Sequence, residues 1–437
     1  MADTTSYYDK PSRHILSKLE LYFDGLDMEP LVVDNSNYLI DYQIVEEASA
    51  EDKNPLGAVS ANELTITLAN FDNLFSPSNT SGIYYGKIKT GVTVKVFIRE
   101  EEDPEWAPFG VYFVSDWKAK LGSSTAFVTC YDRIQELLLS PIKDLSVMEN
   151  ITFATYIIYV LFSLGYTDVD VDKTLLEYIP YGFATTANTP ELIQTLAEGA
   201  ICIFTTDRTG KIVVKKLQKG EVKATLTDSN QIKSVDSEQS VIKTYNGVHL
   251  TYILPQVSQT KEILTINNLV VPAGEFTHAS IKYPSPIYKL YSVQLLGNDK
   301  CSLVGYTASH FGIVLTTSSK GKASAEATVS LTGTNLELME QELTDGAVNM
   351  LQIYNPYVQT PDYAAVYKEK LSRFVHADIP ILNVQSRGNP DLQIGDTVQI
   401  ESAKYKLSFT GIIRRATYRY AGNLTCELSL LNAEVVE

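Results

Sequence analysis

The residue types that carry most enzymatic and metal chemistry are sparse in this sequence and badly spaced. The five histidines, His14, His249, His278, His310 and His376, fall in five separate segments. None forms the HxH, HxxxH or HExxH spacing that puts two imidazoles on one face of a helix or strand, so no zinc site is expected from local ligands. No Gly-x-Ser-x-Gly elbow is present to lift a serine nucleophile out of a strand-to-helix turn. Gly82-Ile-Tyr-Tyr-Gly-Lys-Ile88 approaches a phosphate-binding loop. It has one residue too few between its glycines, and Ile88 stands where a hydroxyl must meet magnesium.

Asp168-Val-Asp-Val-Asp172 has the spacing that opens a calcium loop. Lys173, however, occupies the position of the turn glycine, and Ile179 that of the bidentate glutamate. Its alternation reads better as a short exposed strand. The acidic run Glu100 to Glu105 is read as a solvated loop tip. Cys130, Cys202, Cys301 and Cys426 are scattered, with no CxxC pair, and the chain opens Met-Ala-Asp-Thr-Thr-Ser without a basic-then-apolar leader. Both features lead us to expect reduced thiols and synthesis in the cytosol. No catalytic, cofactor-binding or metal residue is assigned, no cofactor is expected, and the chain is expected not to be an enzyme.

The elements that would have to position such groups are mostly strands. Asn62 to Leu68 alternates, placing Leu64, Ile66 and Leu68 on one face, and Val92 to Ile98 does the same. Trp106 to Val114 and Thr125 to Tyr131 follow as strands. Asp132 and Gln135 then form a capping-box pair that opens a short helix ended by Pro141. In the middle, Phe153, Ile157, Leu161 and Leu164 recur at helical spacing. Thr189 as cap, with Pro190 behind it, opens a second helix that stops near Gly199. Ile201 to Phe204, a turn at Asp207 to Gly210, and Lys211 to Val214 make a hairpin. Residues 240–350 are again strand-like. Tyr363 to Val375 is one amphipathic helix burying Ala364, Tyr367, Leu371 and Phe374, and strands resume from about Ile379.

Length and composition set outer bounds. A chain of 437 residues fits several domains. Tyrosine is in surplus, at 27 against 15 Phe and 2 Trp, which suits strands and wet interfaces. The net charge of −16 opposes tight binding to nucleic acid. The charge is uneven: residues 1–150 hold 12 basic and 24 acidic residues, whereas residues 351–437 hold 9 of each. The excess is either a solvated acidic face or a surface to which passing DNA does not adhere. The most apolar stretch, Thr155 to Leu164, is far too short to span a bilayer.

One internal similarity stands out. Gly91-Val-Thr-Val-Lys-Val96 matches Gly395-Asp-Thr-Val-Gln-Ile400 in pattern. Each is followed by a phenylalanine–glycine corner (Phe109-Gly110, Phe409-Thr410-Gly411), a turn glycine (Gly122, Gly422) and a Thr-Cys strand (Thr129-Cys130, Thr425-Cys426). Two hairpins with shared turn chemistry would produce this by chance, and so would a duplicated barrel by descent.

Several segments in order resemble the tail hub or baseplate hub proteins of bacteriophages, including the N-terminal part of tail-associated lysins. The first covers Asn62 to Leu138: the Asn62 to Leu68 strand, the turn Asn70-Phe-Asp-Asn-Leu-Phe-Ser-Pro77, the Gly91 strand, Trp106 to Tyr112 and Tyr131 to Leu137. The second is Arg387-Gly-Asn-Pro-Asp-Leu-Gln-Ile-Gly-Asp-Thr-Val398. The Thr189-Pro190 helix and the Asp207 to Lys211 hairpin resemble the middle domain of the same family.

The resemblance implies a mainly β fold with α+β insertions and two tail-tube-like β-barrels per chain. The domains expected are a first barrel at 1–145, a small α/β domain at 146–237, a second barrel at 238–260 and 376–437, and an inserted β-rich domain at 261–375 ending in a helix. The second barrel is expected to begin near Val241 to Leu250. A homotrimer would then present six barrels as a ring, joining the tail tube or distal tail ring to a tip fibre or spike. The implied partners also include a tape-measure protein and phage DNA passing through the lumen, with no membrane insertion by this chain. The implied location is the virion tail tip or baseplate, assembled in the host cytoplasm. Because the sequence stops at Glu437, soon after the second barrel, cell-wall cutting is expected to belong to another protein. A glycan-binding receptor module, with tyrosines stacking on sugars, and a tail-associated cell-wall hydrolase are the competing readings.

Overall fold

The computed structural model describes residues 13–48, 54–142, 145–186, 188–237, 245–297, 299–321 and 323–436. The molecule is mainly β, as expected, and its largest element is a 13-stranded sheet. Ten strands of that sheet fall in two runs of five. They are β1 (Leu39–Glu47), β2 (Glu63–Ala69), β3 (Thr93–Glu100), β4 (Ala107–Lys118) and β5 (Thr125–Tyr131), then β6 (Ile232–Ser237), β7 (Ile381–Ser386), β8 (Thr397–Ser402), β9 (Leu407–Tyr420) and β10 (Leu424–Asn432). The alternation read in the sequence is the cause of their one-sided burial. In β2, Leu64, Ile66 and Leu68 point into the core while the threonines between them are half-buried.

The first five strands pair in the spatial order β1-β2-β5-β4-β3, and the second five in the order β6-β7-β10-β9-β8. The same chain order and the same pairing thus occur twice, all antiparallel. Irregularities repeat with the topology. A bulge falls between Leu39 and Asp41 in β1 and between Ile232 and Ser234 in β6. Another falls between Val114 and Asp116 in β4 and between Ile413 and Arg415 in β9. Each unit also enters its third strand from a left-handed glycine, Gly91 at φ +81 and Gly395 at φ +86. The Gly91 N–H donates to Val114 O at 2.7 Å, and the Gly395 N–H to Ile413 O at 2.9 Å. A bulge costs ladder bonds and persists where it serves the geometry, so two bulges at matching places argue for one repeated unit.

This register corrects two of the landmarks read from sequence. Val96 faces Gly110 and Ile400 faces Phe409, so Gly110 matches Phe409 and not Gly411. Val114 faces Cys130 and Ile413 faces Leu430, so Cys130 matches Leu430 and not Cys426. The first offset arises because the β3–β4 pair has an extra bulge after Val96, at Phe109, that the β8–β9 pair lacks; the second arises because pairing runs on to Tyr420 and Leu424 in the β9–β10 hairpin but stops at Lys118 and Phe127 in the β4–β5 hairpin.

The second unit also starts earlier than expected. Its first strand is β6, while Gly247–Val257 pairs with Ala325–Thr344 and Met350–Asn355 in a separate five-stranded sheet. Residues 241–244 of the expected starting segment lie outside the described residues. The strand Val222–Thr227, expected within the α/β domain, runs parallel to β8.

Around the sheet lie four helices among the described residues: α1 (Arg133–Leu139), α2 (Phe153–Ser163), α3 (Thr189–Ala200) and α4 (Pro361–His376). α1 to α3 cover a four-stranded sheet of Val169–Val171, Ile212–Lys216, Cys202–Thr206 and Ala58–Val59 around their own core. Asp132 caps α1 through the Ile134 N–H, and its other oxygen accepts from Thr206 in place of any return contact from Gln135. α3 begins one residue earlier than expected, after Asn188; the Thr189 hydroxyl donates instead to Ser140 O. α4 buries Ala364, Tyr367, Leu371 and Phe374 against the core of the large sheet. The 20-residue strand Ala325–Thr344 carries the chain outward to a third core of Ile263, Ile287, Ile313, Leu315, Val329 and Leu331. Among the described residues, no helix is long and apolar enough to cross a membrane.

Candidate functional site

The two units meet along one seam. β8 covers only Leu407 to Ile412 of β9, so the outer half of β9 has an open edge. β1 fills it, with Arg415 opposite Glu47, Tyr418 opposite Ile44 and Tyr420 opposite Tyr42. The seam is locked at the bulge residue Arg414, whose carbonyl accepts the Ala48 N–H at 2.7 Å. The Arg414 guanidinium is buried, which lowers its pKa to about 10. One continuous core therefore runs under both units.

Arg208 closes the seam from the α/β side. It sits at the tip of the hairpin between Cys202–Thr206 and Ile212–Lys216, where the Asp207 carboxylate accepts the N–H groups of Thr209 at 2.8 Å and Lys211 at 3.0 Å. That turn pushes Arg208 between the units, 4.6 Å from the Phe109 ring centre and 5.5 Å from that of Tyr418. Those two rings meet edge to face at 5.1 Å. The guanidinium pairs with the buried Glu46 carboxylate and donates to Leu392 O at 2.7 Å. Burial lowers its pKa, offset by the surrounding acceptors and acids. Phe109 reaches this place because its bulge turns it inward, next to Gly110 at φ +149. A Cβ on Gly110 would lie 2.5 Å from the Tyr112 ring.

The groups weighed as reactive in the sequence are dispersed by the fold. His14 pairs with Glu101 at 2.7 Å on the surface, His249 lies 3.8 Å from Glu342, and His278 Nε2 contacts Thr317 Oγ1 at 2.8 Å. His310 is buried between Phe183 and Phe311, and burial alone lowers its pKa to about 4. His376 lines a groove of about 560 Å³ with Arg373, Phe409, Asn432 and Glu434.

Among the described residues, no three His, Cys, Asp or Glu side chains are placed to hold a metal ion. Cys130, Cys202 and Cys426 are buried, and burial raises their thiol pKa values. Gly82 to Ile88 is a run of turns that leads to a strand and opens no helix. Val169–Val171 is an edge strand parallel to Ile212–Val214, with Asp168 paired to Lys211 at 2.9 Å. The acidic loop at Glu100 to Glu105 is wrapped by Arg99, whose guanidinium packs 4.9 Å from the Trp106 ring. These contacts fix loops and edges.

No family model matches the sequence, and no curated protein matches it. Solved structures do. The 43 kDa tail protein of prophage MuSo2 from Shewanella oneidensis superposes with a TM-score of 0.55 over 97% of this chain and 100% of that one, at 14% identity. A tail protein from Neisseria meningitidis matches with a TM-score of 0.55 over 97% and 98% of the two chains, at 9% identity. The chain has the fold of these tail proteins. Such coverage takes in the smaller sheets as well as the large one. Within that fold, the seam is held by two buried arginines, Arg208 and Arg414. Neither arginine was singled out in the sequence. Arg208 was visible only as part of a turn, and its partners Glu46 and Leu392 are 162 and 184 residues away.

Proposed function

We propose that this chain is a structural hub of a phage tail tip or baseplate. It assembles as a trimer whose six units form a pseudo-sixfold ring, joins the tail tube or distal tail ring to a tip fibre or spike, and lines the path of DNA. The observation that carries the reading is the repeated five-strand unit, with its order, pairing and two bulges in common. Two like units in one chain let three chains meet a sixfold tube on one side and a threefold tip on the other.

The role is non-enzymatic. The buried polar groups at the seam hold strands together, and the acidic net charge of −16 keeps DNA from adhering as it passes. The tape-measure protein and the tip fibre are the further partners of this reading. Electron microscopy of the purified full chain tests it, alone and mixed with the neighbouring tail proteins. Rings of three chains with a central opening support the hub. Clearing of host cell wall by the purified chain, or a thermal shift on adding saccharides, would favour the hydrolase or the glycan-binding module instead.

A further inference from the structure

Inside one chain, the two units also meet through a loop. Ile98, Ala107 and Pro108 of the first unit line a cleft of about 410 Å³ with residues 389–393 of the second. Asn389, Pro390 and Leu392 of that loop are buried. The repeat assigns a counterpart to each side of the cleft. Val96 faces Gly110 as Ile400 faces Phe409, so Ile98, Ala107 and Pro108 match Ser402, Leu407 and Ser408. Gly91 matches Gly395, so Lys87 and Lys89 match Asp391 and Gln393. At the loop's other end, Leu68 faces Ala126 as Ser386 faces Cys426, so Phe71 matches Asn389.

Both counterparts lie open in the single chain. Ser402, Leu407 and Ser408 line a groove of about 590 Å³ with Asp228 and Glu401. Phe71 is 62% exposed, whereas the matching Asn389 is 4% exposed. We propose that this groove on the second unit receives the Phe71 to Lys89 loop of a second copy of this chain. The contact that joins the units within a chain then recurs between chains. The inference rests on the ring reading and assigns one of its contacts.

Two observations outside the repeat fit this occupant. The first is charge. Residues 70–92 carry Lys87 and Lys89 against Asp72, while the groove carries Asp228 and Glu401 against Lys406. With a net charge of −16, most faces of the chain repel their own copy, and a basic loop opposite an acidic groove does not. The second is shape. The loop exposes Phe71, Ile83 and Tyr85 together, apolar surface that a single chain leaves wet. It is nevertheless built rigidly: Asn70 accepts the Phe75 N–H at 2.8 Å and donates to Ser123 O at 3.0 Å, and the Phe75 and Tyr84 rings stack at 5.8 Å. The groove wall is fixed too, since the Asp228 carboxylate accepts from Ser402 Oγ at 2.7 Å and from the Lys404 N–H at 3.0 Å. Two preformed surfaces lose little freedom on meeting. The contact is head-to-tail, so identical junctions propagate until the rotation closes them.

Carbodiimide cross-linking of the full chain tests this, because it joins an amine to a carboxylate only where the two touch. Equal parts of isotope-labelled and unlabelled chain are assembled, alone and with the neighbouring tail proteins, then cross-linked and digested. The expected product joins Lys89 of one copy to Glu401 or Asp228 of another, read by mass as a peptide pair of mixed label. Lys89→Glu and Glu401→Lys are each expected to weaken assembly about tenfold, and their combination to recover most of it. Phe71→Ser is expected to weaken assembly while leaving the unfolding midpoint of the single chain unchanged. Trimers whose Lys89 forms no mixed-label link to Glu401 or Asp228, or whose assembly ignores Phe71→Ser, overturn this contact and leave the ring reading standing. A chain that stays monomeric at high concentration and with its tail partners overturns both.

Discussion

Tyr42 and Tyr420 face each other across the seam between the two units, with ring centres 5.4 Å apart and planes 20° from parallel. Each ring is anchored at its far end: Tyr42 shares a 2.8 Å hydrogen bond with Ser17, and the Tyr420 hydroxyl donates to Ile15 O at 3.3 Å. The pair thus couples the first unit, the second unit and the N-terminal strand Ile15–Tyr22. Replacing either tyrosine by leucine should destabilise the chain by about 1–3 kcal/mol, since it removes ring area and a hydrogen bond, to Ser17 from Tyr42 or to Ile15 O from Tyr420. The double variant should lose less than the sum, with a coupling of about 0.5–1.5 kcal/mol in urea unfolding. Additive losses would mean that the seam does not act as one piece.

Arg208 gives a sharper test. Arg208→Ala leaves the Glu46 carboxylate buried beneath Phe109 and Tyr418 without its cation, and should cost about 3–5 kcal/mol. Arg208→Lys should recover little, because a point charge cannot reach Leu392 O and Glu46 together while packing flat on the Phe109 ring. Removing Glu46 as well, in Arg208→Met/Glu46→Leu, should recover most of the loss. Chemical denaturation of the three variants reads all of these.

Gly57 marks where the first unit grips the α/β domain. A Cβ there would lie 2.4 Å from Ala197 O in α3, backbone that cannot step aside. Gly57→Ala should therefore displace Ala58–Val59 from its parallel pairing with Ile203 and Phe204, at a cost of about 1–3 kcal/mol. Hydrogen exchange should show faster exchange at Ile203 and Phe204, with β9 and β10 unaffected.

Two buried groups tie stability to pH in opposite senses. His310 has its pKa lowered from 6.5 to about 4, so the unfolded chain takes up its proton first and stability falls as pH drops from 6.5 towards 4. Asp132 has its pKa raised by burial from 3.8 to about 7, so the folded chain holds the extra proton and stability falls as pH rises from 4 towards 7. His310→Phe should flatten the acid-side loss. Asp132→Asn keeps a capping side chain for α1 and should stabilise the chain more at pH 8 than at pH 4. Unfolding midpoints measured across pH 4 to 8 separate the two.

Four of the five strands of the first unit and the four helices were legible because period-2 and period-3.6 patterns bury one face each, as Leu64, Ile66 and Leu68 show. The repeat was legible at Gly91 and Gly395, where positive φ demands glycine. It was misaligned further on because a bulge and a difference in hairpin connection length shift register without leaving a residue-type signal. The start of the second unit was misplaced for a related reason. β6 is a six-residue strand, and its pairing partner β7 lies beyond an insertion that the pattern of β6 cannot announce. The tyrosine surplus pointed outward to interfaces, yet Tyr42, Tyr156, Tyr357, Tyr367 and Tyr418 are among the largest fully buried side chains. Most of these hydroxyls find partners inside, as when Asn54 donates to Tyr367 at 2.7 Å and Tyr357 donates to Phe183 O at 2.9 Å. The site at Arg208 was illegible because it is assembled from segments that only the fold brings together.

In the proposed hub, three copies of the two-unit chain close into a six-unit ring. Native mass spectrometry of the full chain, paired with electron microscopy of the same sample, measures it most directly. The expected result is a trimer whose end-on images show six similar densities around an open centre. A stable monomer, both alone and bound to its tail partners, or a closed assembly of any other number of chains, would contradict it.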